Sequence, residues 1–350
     1  MLSFASVSIH PFKVSLIAVL VGFAFVDCAS AQETADIVMV RRPQNRREVR
    51  YVGRVMDYAA GTLRLRMKTS GSVRSLTSAD IVRIETPRLD EHVKADKQQS
   101  VGKLDEAAAS FTAALALEQR KWVQREILAS LTRLHLRRGD RMAAARAFVE
   151  LTNSDPKTHH RGLVPLCWSN HRLAPADVNQ AKGWSTSANY FARLIAASML
   201  FNVPSERAKA MKSMDEIAGS GRGLSDLART QLWRGRLVDA KPINRTEIKL
   251  WRGRVALMKQ RERGGPWFVI GKAHSQRLEH EEAAIAFLWI PLAYSLDREL
   301  AAEASLEAAV SLQKHGNLPD ATSLYRETAE RFAGTIFARR ANDVLRPPGK

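Results

Sequence analysis

Two periods of apolar residues divide this chain at Pro87. Before it, VRYVGRV (Val49 to Val55), LRLRMK (Leu63 to Lys68) and DIVRIE (Asp80 to Glu85) alternate apolar and polar positions, the period of a strand with one buried face. Asp57-Tyr58-Ala59-Ala60-Gly61 and Ser70-Gly71-Ser72 carry the residues that favour turns. The pattern predicts a small, strongly bent antiparallel sheet of four or five strands over about residues 35 to 86. Alternation puts Arg64, Arg66 and Lys68 on one face of it and Leu63, Leu65 and Met67 on the other. Arg50 and Arg54 join the basic face from the neighbouring strand. Beyond Pro87 the apolar spacing lengthens to three and four residues, and from about Leu89 the chain is predicted helical to its end.

The helical part repeats itself. Gly139 is followed five residues later by Ala144, four after that by Phe148, and then by Pro156. The same offsets recur from Gly102 (Ala107, Phe111), from Gly316 (Ala321, Tyr325) and from Leu278 (Ala283, Phe287). A glycine can take the positive φ that ends one helix and turns the chain into the next. An alanine lets two helix axes approach, and an aromatic one turn on lies on the same face. Ahead of Leu278, Trp267, Ile270 and Gly271 add a tryptophan, an aliphatic residue and a glycine in the preceding helix. These features resemble the tetratricopeptide repeat, a helix–turn–helix unit that stacks into solenoids.

The resemblance implies a mostly α protein: a tetratricopeptide-like α-solenoid over residues 89 to 346, preceded by a small antiparallel β-domain at 32 to 88. It is firm over 90 to 156 and 265 to 345, and degenerate between 157 and 262, where Gly235 has Ala240 five on but no aromatic follows. The segment from Lys157 to Trp184, with Pro165 and Pro175, reads as the least regular, helices resuming from Ser185. A last helix from Phe337 to Leu345 caps the array, and 347 to 350 form a tail. Members of the family bind protein or peptide partners along the concave face lined by the first helix of each pair. By that match Arg133, Arg137 and Lys272 point toward the groove and suit an acidic partner. The strand pattern of the small domain resembles SH3-like and Sm-like barrels.

Residues 1 to 31 read as an export signal. Lys13 precedes the apolar run Val14 to Val26, and Ala29-Ser30-Ala31 offers small residues around a cleavage point. Cys28 suggests a lipid anchor, but Asp27 stands where a small neutral residue is needed. The expected mature chain is periplasmic, envelope-associated or secreted, and keeps Cys167 alone, so it forms no internal disulfide.

Charge adds a second reading. The chain carries 54 Lys and Arg against 36 Asp and Glu, and between Arg41 and Arg88 twelve basic residues face only Glu48, Asp57, Asp80 and Glu85. Such a surface attracts polyanions by counterion release. The β-domain is therefore an alternative binding element, for an anionic polymer, a membrane surface or nucleic acid, through Arg50, Arg54, Arg64, Arg66 and Lys68.

Nothing in the sequence calls for catalysis, a metal or a cofactor. His159, His160, Cys167 and His171 are zinc-type ligand residues, but their spacing is irregular and a packed or solvated loop is the expectation. Gly219, Gly221 and Gly223 follow a helix and lack the Lys-Ser/Thr of a phosphate loop. Trp251, flanked by Lys249, Arg252 and Arg254, could stack on a ligand, though core packing is expected of it as of the other tryptophans. An enzyme with an unrecognised site is the remaining class. The expectation is an exported, non-enzymatic scaffold.

Overall fold

The computed structural model describes residues 35–42, 47–170, 173–221, 223–238 and 241–346. The export signal at 1 to 31, His171, Ala240 and the tail at 347 to 350 lie outside these residues. Five strands form one antiparallel sheet: β1 (Asp36–Arg41), β2 (Glu48–Ala59), β3 (Thr62–Met67), β4 (Val73–Thr77) and β5 (Ile81–Glu85), in the order β4-β3-β2-β1-β5. Leu63 and Leu65 are fully buried, while Arg64 and Arg66 are exposed, as strand alternation requires. A bulge between Val55 and Asp57 leaves Arg54 directly opposite Arg66 and sets Asp57 opposite Arg64. Near the bulge the buried Asp36 carboxylate accepts the Val55 N–H at 2.6 Å. Gly53 lets β2 and β3 close, because a Cβ there would lie 2.1 Å from the Arg66 carbonyl oxygen.

Fourteen helices follow among the described residues. They are α1 (Asp90–Ser100), α2 (Leu104–Leu117), α3 (Lys121–Arg138), α4 (Arg141–Ser154), α5 (Pro175–Ser185), α6 (Tyr190–Leu200), α7 (Arg207–Gly219), α8 (Ser225–Arg236), α9 (Arg245–Leu257), α10 (Gly264–Gln276), α11 (His280–Ala293), α12 (Arg298–His315), α13 (Leu318–Arg331) and α14 (Ile336–Leu345). Successive helices pack on one another, so the chain is a helical solenoid preceded by a small sheet.

The repeated template maps onto four helix pairs, α1–α2, α3–α4, α10–α11 and α12–α13. Gly102, Gly139, Leu278 and Gly316 all take positive φ, at 80°, 82°, 60° and 95°. Leu278 therefore adopts the backbone that glycine supplies in the other three turns. Ala107, Ala144, Ala283 and Ala321, with Phe111, Phe148, Phe287 and Tyr325, are all at most 2% exposed. The alanines sit where helices cross, and the aromatics fill the space beside them. Gly271 serves the same end, since a Cβ on it would fall 2.6 Å from the Phe287 ring.

Between these pairs the array continues by different means. The proline-rich stretch contains a helix that the composition did not predict: α5 starts at Pro175, whose fixed φ and missing N–H fit a first helical position. The packing runs on from α4 to α6, α6 to α7, α7 to α8 and α8 to α10. Its centre is Arg234, which donates to the backbone oxygens of Cys167 (2.7 Å), Ser198 (3.0 Å) and Ser169 (3.3 Å), and to the side chains of Gln231 and Asn202. Trp233 and Trp251 stack with ring centroids 4.7 Å apart, both buried. Trp251 is thus core.

The array curls until α12 meets α3 and α4. Arg141 pairs with Asp297 at 2.9 Å, and Glu299 lies against Gly139. Across the same interior, Arg161 pairs with Glu262 at 2.9 Å. The sheet joins this body through Arg125 and Asp57, and through Asp155, whose carboxylate accepts the Ala60 N–H. Residues Ala35–Lys350 form one compact unit. Among the described residues, no helix is long and apolar enough to cross a membrane.

Candidate functional site

Curling leaves a cleft of about 610 Å³ inside the bend. One wall is the last two turns of α3. Facing it are the segment Gly162 to Trp168, the 3-10 turn Gln260–Glu262 with the start of α10, and the connection from α11 into α12. Leu136, Leu163, Leu166, Trp168, Tyr294 and Leu296 supply an apolar lining. Gly265 makes room for Trp168, because a Cβ there would lie 1.8 Å from the indole.

Three arginines line this space, and two more pair with carboxylates of its lining. Arg141 and Arg161 are neutralised by Asp297 and Glu262. Arg133, Arg137 and Arg261 line the cleft with no carboxylate in ion-pairing distance among the described residues, Arg133 having only a 3.4 Å hydrogen bond to Ser130. Burial lowers the pKa of the Arg133 guanidinium, and the nearby Arg261 lowers it further against the pull of Glu126. Guanidinium groups stay charged in proteins. Arg133 is half-buried, whereas Arg137 and Arg261 are exposed at the rim, where an anion can reach them. The cleft therefore presents three guanidinium groups beside apolar flanks.

The residues marked from sequence fall into three places. Arg133 and Arg137 line the cleft together. Lys272 does not join them: its ammonium pairs with Glu307 at 2.9 Å and lies over the rings of Phe268 and Phe287. It also offsets the charge of Glu303 on α12, whose carboxyl burial pushes up to about 7. Arg50, Arg54, Arg64 and Arg66 are exposed on the sheet, with Lys68 exposed just past the end of β3. Arg261 was missed in sequence. It sits in a short polar turn with no periodicity, and only the return of the chain brings it to α3.

Among the described residues, Cys167 stands apart from His159 and His160. Cys167 is buried, its thiol donating to the Ser169 carbonyl at 3.3 Å. His159 and His160 instead meet Glu126 of α3. Of the three glycines, Gly221 takes φ +65° in a turn and Gly223 packs against Arg161. No protein-family model matches the chain, and no curated protein is significantly similar to it.

Proposed function

We propose that this chain is an exported, non-enzymatic scaffold of tetratricopeptide type whose central cleft receives an acidic segment of a protein partner. The observation that carries the reading is the set of three guanidinium groups, Arg133, Arg137 and Arg261, with no ion-paired carboxylate among the described residues, beside an apolar lining. The four pairs with buried alanine and aromatic positions support the repeat type. Export rests on the sequence of residues 1 to 31. A short peptide carrying carboxylates and one or two apolar side chains matches both the volume and the chemistry of the cleft.

Fluorescence anisotropy with a labelled peptide of alternating glutamate and leucine tests it. Arg133→Ala combined with Arg137→Ala should weaken binding by about tenfold or more, each charged hydrogen bond being worth about 1.5–3 kcal/mol. Equal affinity for the double variant and the parent would remove the cleft from the function. The exposed, directly opposed Arg54 and Arg66 favour a second reading, in which the sheet face binds a polyanion. Changing Arg64, Arg66 and Lys68 together to Ser should then lower the salt needed to elute the protein from heparin and leave peptide affinity unchanged. Unchanged elution would end that reading.

A further inference from the structure

Where the sheet meets the helices, three donor atoms converge that no part of the proposed cleft uses. Glu126 stands on α3 one side of Arg133, and His159 and His160 lie in the turn after α4. That turn is held by the Asp155 carboxylate, which accepts the Lys157 N–H at 3.1 Å, and by Thr158, whose hydroxyl accepts the His160 N–H at 3.2 Å. His160 Nε2 lies 2.9 Å from Glu126 Oε1, and His159 Nε2 lies 3.5 Å from the same oxygen. All three donor atoms fall within 4.8 Å of one another.

The 3.5 Å separation is that of neighbouring ligands on one ion, and the 2.9 Å hydrogen-bonded pair needs to open by about half an ångström to share it. Bonds of about 2.0–2.2 Å in tetrahedral geometry place neighbouring ligand atoms roughly 3.3–3.5 Å apart. The two imidazole rings are only 3.8 Å apart between centroids, so two imidazolium ions here would repel. His159 is held by stacking on Tyr58 of β2, centroids 4.3 Å apart. The side chains of His159 and Glu126 are 22% and 32% exposed, which leaves a path for an ion and for water.

We propose that Glu126 Oε1, His159 Nε2 and His160 Nε2 bind a divalent transition-metal ion of the zinc class, with water completing its shell. The ion fastens α3 to the turn after α4 and, through the Tyr58–His159 stack, to β2. It is a clamp at the junction of sheet and helices.

The untagged, chelator-stripped full-length chain should bind one equivalent of zinc by calorimetry, with a rise in Tm. Cobalt(II) should give the intense visible bands of a four-coordinate nitrogen–oxygen site, and zinc should abolish them. Glu126→Gln and His160→Gln should each weaken zinc binding at least about tenfold, with far-UV circular dichroism verifying the fold. If those variants do not fold, the cobalt spectrum of the unaltered chain decides alone. Weak octahedral bands only, no change of Tm with zinc, or undiminished affinity in both folded variants would each overturn the site.

Discussion

The regular helix pairs and the stretch from α5 to α9 reach the same result, one helix packed on the next, by different chemistry. At α3–α4 and α12–α13 the crossing is apolar and local, with Ala144 and Phe148, or Ala321 and Tyr325, buried within a few residues of the turn that makes them neighbours. In the middle region the joint is polar and distant. Arg234 of α8 gathers the carbonyls of Cys167, Ser169 and Ser198 from as far as 67 residues away. An apolar crossing loses transfer energy when altered, in proportion to what is misfitted. A buried guanidinium holding several carbonyls fails as a unit, because each partner is left desolvated and unpaired.

That contrast can be broken most sharply at Arg234. Arg234→Met removes five hydrogen bonds and should cost roughly 3–5 kcal/mol, read as a fall in the urea midpoint. A loss of the size expected for one surface arginine would mean that the network does not hold the middle region. Overpacking the regular crossings should cost less. Ala144→Leu and Ala321→Leu should each destabilise by about 1–3 kcal/mol, and unchanged midpoints for both would deny that those alanines sit at helix crossings. The smallest effect has the opposite sign. Leu278 is 74% exposed at φ 60°, so Leu278→Gly relieves left-handed strain of about 1–2 kcal/mol and loses some of that to the greater freedom of the unfolded chain. A net rise of Tm is expected, and a fall would mean that the leucine side chain contributes more than its exposure suggests.

The sequence was most readable where the interactions are short in range. The strands, the turn glycines and the first-to-second helix contacts follow from periods of two and of three to four, because those periods fix which side chains share a face. Arg133 and Arg137 were marked only through the resemblance to the tetratricopeptide repeat, together with Lys272. Pro175 marks the limit of composition as a guide: three prolines in a short span suggested irregular chain, yet one of them begins α5.

By itself, then, the sequence determined a small alternating sheet, an array of helix pairs with alanine at their crossings, and a strong excess of positive charge. Only the tertiary structure decided which charges remain available. Lys272 and Arg141 are consumed by Glu307 and Asp297, whereas Arg133, Arg137 and Arg261 are not. It also decided that Glu126 joins His159 and His160 while Cys167 does not. Ion pairs and ligand sets depend on distances of a few ångströms between residues far apart in the chain. Those distances arise when the array curls and brings α12 back to α3, a closure that no local period encodes.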